Sequence, residues 1–71
     1  MNKKEILLKQ LKHFASKVLI NNENLLSEEA TERLTKMGYV NRLEDYNYIT
    51  GEGIDFVIKN QIVKKFKTYG K

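Results

Sequence analysis

The run Leu34-Thr35-Lys36-Met37-Gly38-Tyr39-Val40 changes from helix-forming to strand-forming residues within about one turn. Leu34, Lys36 and Met37 suit a helix interior. Gly38 stands where a left-handed C-cap residue is needed, since it has no Cβ to clash there. Tyr39 and Val40 are aromatic and β-branched and suit a pleated strand. A second run, Tyr48-Ile49-Thr50-Gly51-Glu52-Gly53-Ile54-Asp55-Phe56-Val57, makes the opposite change, from strand to helix. Thr50 reads as the N-cap at that junction. Between the two runs lies a hairpin, with strands at 39–43 and 46–49 and Glu44-Asp45 as the turn. A hairpin this short needs a helix beneath it to be stable.

Working back toward the N-terminus, Ser27 reads as an N-cap and Glu28 and Glu29 fall in the first turn, where the helix dipole favours negative charge. Ala30, Leu34 and Met37 form the buried face of a helix over 27–37. Before it, Asn21-Asn22-Glu23-Asn24 has turn chemistry, and Leu25 and Leu26 supply an apolar anchor. Residues 19–26 therefore read as a loop. The first segment, 3–18, is an amphipathic helix in which Leu7, Leu11, Phe14, Ala15 and Val18 recur on one side. Lys9, Lys12, His13, Ser16 and Lys17 fall on the other.

Toward the C-terminus, the last helix is predicted from Thr50 to Tyr69. Ile54, Ile58, Ile62, Phe66 and Tyr69 form a stripe, with Val57 on its flank and Phe56 and Val63 on the far side. That is more apolar surface than one face of a small domain needs, which predicts a homodimer through residues 54–69. Gly51 and Gly53 in the first turn each cost up to about 1 kcal/mol relative to Ala, so glycine there implies close packing or a tight turn into the helix.

The chain has 71 residues, enough for one domain with a thin core. It has no cysteine, which excludes disulfides and thiolate metal sites and fits an intracellular, cytoplasmic protein. It offers no apolar run long enough to span a bilayer, and its charged start is unlike a signal peptide. The small size and Asn/Lys/Ile-rich composition suggest a phage or mobile-element source. The net charge of +4 is unevenly placed. Residues 1–21 carry five lysines and one acid, residues 22–55 eight acids and three bases, and residues 56–71 five lysines and no acid. Basic ends can fold back on the acidic middle, or can serve as a surface for nucleic acid or an acidic protein.

The run at 34–40 resembles the end of a winged-helix recognition helix passing into its first wing strand. The run at 48–57 resembles the segment after the wing, where an apolar residue, Thr, two variable residues and Gly precede a helix. The resemblance covers about residues 27–58. It implies a single winged-helix-like domain over residues 1–71, of α+β class, in the order helix, loop, helix, β-hairpin, helix. The recognition helix would be 27–37 and the wing 39–49. Winged-helix domains commonly bind duplex DNA, often as transcription regulators, and many others are protein-interaction modules. The closing helix often joins dimers.

Two functions are therefore expected: binding of DNA, or binding and modulation of another protein through the acidic middle or the hairpin. Glu28, Glu29 and Glu32 would be repelled by phosphates, so DNA contact is expected mainly on cations away from the start of that helix. These are Lys9, Lys12 and Lys17, then Arg33 and Lys36 in its C-terminal half, Arg42 of the wing, and Lys64 and Lys67 of the last helix. Solvated helix faces explain the same lysines without a ligand. Tyr46, Tyr48 and the tip from Arg42 to Asn47 are candidates for a partner contact. No enzyme, cofactor, metal or membrane role is expected. His13 lacks the orienting group and oxyanion hole of a nucleophilic pair with Ser16. Glu28 and Glu32 are explained as helix-start acids, and Gly51 and Gly53 lack the Lys-Ser or Lys-Thr of a phosphate loop.

Overall fold

The computed structural model describes residues 2–60. Three helices and a three-stranded antiparallel sheet follow in the order α1 (Lys3–Lys17), β1 (Leu19–Asn21), a 3-10 turn at Asn22–Asn24, α2 (Glu28–Lys36), β2 (Val40–Arg42), β3 (Tyr46–Ile49) and α3 (Gly51–Lys59). The sheet order is β1-β3-β2, so β3 is central. Leu19, Ile20 and Asn21 face Tyr48, Asn47 and Tyr46, while Val40, Asn41 and Arg42 face Ile49, Tyr48 and Asn47. The α+β class and the helix–helix–hairpin–helix order agree with the sequence reading, and the topology is compatible with a winged-helix-like fold.

Every α-helix and strand contributes to one core: Leu11, Phe14 and Ala15 from α1, Ile20 from β1, Leu34 from α2, Val40 from β2, Ile49 from β3 and Val57 from α3. The helix starts follow the expected chemistry. Ser27 Oγ accepts from Ala30 N at 3.1 Å, and Thr50 Oγ1 accepts from Gly53 N at 3.0 Å. Gly38 has φ +88°, the left-handed conformation that ends α2. Tyr39 N–H then donates to Leu34 O and Thr50 N–H to Tyr39 O, which ties the end of α2 to the start of α3.

Four expectations are corrected. Residues 19–26 are not simply a loop: β1 forms there, because β3 pairs with it from a distance. Val18 is not in the buried stripe. It lies outside α1 with φ 71° and ψ −52°, and is 53% exposed. It reverses the chain within one residue while its carbonyl accepts from Ile49 N at 3.0 Å. Met37, expected on the buried face, is the C-cap of α2 and is 46% exposed.

The fourth correction is the rotation of α3. Its core face is Gly53 and Val57, and Ile58 is 45% exposed. Gly53 lets the helix approach the hairpin: a Cβ there would meet the Tyr39 carbonyl oxygen and lie 2.7 Å from Ile49 Cγ1. Phe56, placed by periodicity on the far side, is half-buried and stacks on Tyr39 at 4.7 Å between ring centroids. Part of the apolar surplus behind the expected 54–69 contact is therefore absorbed within the protein. The expected continuation to Tyr69, with Ile62, Val63 and Phe66, lies outside the described residues.

Candidate nucleic-acid interface

The buried stripe of α1 fixes where its cations point. With Leu11, Phe14 and Ala15 inside, Lys9, Lys12 and Lys17 are exposed. Lys9 and Lys12 border a shallow hollow of about 320 Å³ with His13, Ser16 and Leu26. Lys17 borders the next, of about 580 Å³, with His13, Leu19, Ile20, Asn21 and Asn24. His13 lines both, so the three lysines follow one side of the molecule. His13 itself is half-buried between the hollows, where the sequence placed it on a solvated face.

The start of α2 is held by a residue that sequence reasoning passed over. Gln10 is fully buried, and its Oε1 accepts from Leu26 N at 2.8 Å and Ser27 N at 2.9 Å. It lies three residues after Leu7 and four before Phe14, so helical spacing alone assigns it to the buried side. Arg33 and Lys36 are exposed in the C-terminal half of α2. Arg33 borders a different, smaller hollow with Lys3, Ile6, Ser27, Glu29 and Ala30, where Lys3 pairs with Glu29 at 3.5 Å.

Arg42 does not project from the hairpin. Its Nη1 lies 2.7 Å from Glu28 Oε2 and 3.2 Å from Glu32 Oε2, its Nη2 donates to Glu28 Oε1, and its Nε donates to Asn47 Oδ1 at 2.8 Å. The Arg42 side chain is 21% exposed. The hydrogen bonds from Arg42 hold the Glu28 carboxyl below its ordinary pKa, and the same contact raises that of Arg42. Asn47 is fully buried, and its Nδ2 donates to Ile20 O and to Asn22 Oδ1. A polar chain thus runs from α2 through both hairpin strands to β1. Arg42 and Asn47, the two ends of the tip expected to touch a partner, are both engaged in this internal network. Tyr46, Tyr48 and Asn41 occupy the opposite face of the sheet, where Asn41 Nδ2 donates to Tyr48 Oη at 2.9 Å.

Lys64 and Lys67 lie outside the described residues. Their weight in the charge balance is nevertheless clear from the sequence. Residues 2–60 carry nine bases and nine acids, so the net +4 of the chain equals the four lysines at 64, 65, 67 and 71.

The chain matches no family model, no curated protein and no solved structure.

Two chemical properties follow from the arrangement. Glu28 and Glu32 share one guanidinium rather than standing open, and among the described residues no group of three His, Cys, Asp or Glu side chains is placed to hold a metal ion. Among the same residues no helix is long and apolar enough to cross a membrane.

Proposed function

We propose that this chain is a winged-helix-like, non-enzymatic module that binds duplex DNA mainly through its phosphates, in a regulatory role. The observation that carries the reading is the alignment of Lys9, Lys12 and Lys17 along one side of α1, in a chain whose whole net charge equals the lysines of 61–71. Phosphate neutralisation needs such distributed cations and no base-reading side chain. The sheet order β1-β3-β2, with α2 running into the hairpin, supports the winged-helix-like reading. The 3-10 turn at Asn22–Asn24 and the loop before Ser27 stand where a helix-turn-helix has its first helix. The exposed start of α2 offers carboxylates, so sequence discrimination by that helix is weak and binding is tolerant of sequence.

One observation favours a second reading. Although Arg42 pairs with Glu28 and Glu32 and Lys3 with Glu29, all three carboxylates of α2 stay exposed, and they suit a basic protein partner better than a phosphate backbone. A gel-shift experiment on a random duplex separates the two. DNA binding predicts a shift at about 50 mM salt whose affinity falls by about 10³-fold or more by about 200 mM. Absence of a shift at the lower salt assigns the surface to a protein partner.

A further inference from the structure

The sheet has an edge at β1. Val18 O accepts from Ile49 N and Asn22 N donates to Asp45 O, each at 3.0 Å. In an antiparallel ladder the backbone groups alternate, so residues 18, 20 and 22 face β3 while Leu19 and Asn21 turn their N–H and C=O groups to the other side. Among the described residues no strand lies on that side; the hollow of about 580 Å³ adjoins it. Unpaired backbone groups on an edge are a template for another strand.

The charges at the two ends of this edge are opposite. Lys17 and His13 flank its beginning. Glu23 and Asp45 flank its end, around Asn21 and Asn22. A strand added parallel from a second copy would set like charges together. An antiparallel strand from a second copy would set unlike charges together.

We infer that β1 pairs with β1 of a second copy of this chain, antiparallel about a two-fold axis at Ile20, to form a continuous six-stranded sheet. Leu19 then lies opposite the partner's Asn21, and by symmetry Asn21 lies opposite the partner's Leu19. Both are outward-facing residues, so each pair exchanges two N–H···O=C bonds. Lys17 of each copy approaches the partner's Glu23, which makes the contact self-complementary as a two-fold interface requires. A three-residue strand buries little area, so the dimer is weak and its affinity falls with salt. This inference does not rest on DNA binding.

Proline at position 21 gives a clean test. Asn21 has φ −69°, which proline adopts without rearrangement, and its N–H points away from β3. Asn21→Pro should leave the thermal midpoint near that of the wild type and remove one hydrogen bond from each pair. In sedimentation equilibrium of the full chain at low salt, without nucleic acid, its dimer dissociation constant should rise about tenfold or more. Lys17→Glu and Glu23→Lys should each weaken the dimer, and the double exchange should restore it. That arm holds even if the proline variant fails to fold. A wild-type chain that stays monomeric to about 1 mM overturns the inference. So does a dimer indifferent to Asn21→Pro and to the charge exchange, which would place the contact elsewhere, such as on residues 54–69.

Discussion

Replacing Gly53 by Ala tests the packing of α3 on the hairpin, because two opposing effects of known size meet there. In an open helix position Ala is favoured over Gly by about 1 kcal/mol. At position 53 the added methyl would run into the Tyr39 carbonyl oxygen and come within 2.7 Å of Ile49 Cγ1. Ile49 is buried and Tyr39 O is the acceptor for Thr50 N–H at 2.9 Å, so neither can yield freely. Overpacking of this kind costs about 1–3 kcal/mol, and displacement of the carbonyl costs a further hydrogen bond of about 1 kcal/mol. The expected net effect is a loss of about 1–3 kcal/mol, larger than the propensity gain. Gly51, two residues earlier in the same turn, is the control. A Cβ there meets nothing within 4 Å, so Gly51→Ala should stabilise by about 0.5 kcal/mol. Urea titrations with unchanged slope give both values from the midpoints. If Gly53→Ala were to stabilise the protein as Gly51→Ala does, the close approach of α3 to Tyr39 would be refuted.

Thr50→Ala should cost about 1–2 kcal/mol in the same assay, because the hydroxyl both accepts from Gly53 N and donates to Gly38 O at 2.7 Å. Gln10→Leu keeps the volume and removes a buried Nε2 that has no partner among the described residues, but leaves Leu26 N–H and Ser27 N–H without their acceptor, and should cost about 1–2 kcal/mol net, read from the urea midpoint. The Glu28 carboxyl is held below its ordinary pKa by Arg42, so its contribution is present at neutral pH and is lost as pH falls through the lowered value. Thermal midpoints followed from about pH 7 to about pH 3 should therefore fall less steeply in Glu28→Gln than in the wild type, and parallel curves would count against the Arg42 contact.

The parts legible in sequence were those with local causes. Ser27, Thr50 and Gly38 act on backbone within one turn, so their residue types alone placed the helix ends correctly. Strand β1 was hidden because it is three residues long and exists only through pairing with β3, more than twenty residues away. The rotation of α3 was hidden for a related reason. Hydrophobic periodicity weighs side chains, and the residue that sets the closest approach, Gly53, has none. In the candidate interface, Lys9, Lys12 and Lys17 were legible because the buried stripe of one helix fixes its opposite face. The role of Arg42 was not. Glu28 and Glu32, four apart on one helix face, were a signal for a shared cation, but the hairpin register that brings Arg42 to them is tertiary.

The salt dependence of duplex binding tests the central proposal most directly. Lys9, Lys12, Lys17, Arg33, Lys36, Lys64 and Lys67 would each add about 0.9 to the slope of log affinity against log salt, giving a slope of about −6 if all engage. Exchanging Lys64 and Lys67 for Gln should flatten this slope by about 2 for every duplex sequence, while Arg42→Gln should leave it unchanged. A slope near zero, or one that Arg42→Gln flattens as much as the paired lysine exchange does, would contradict the proposal.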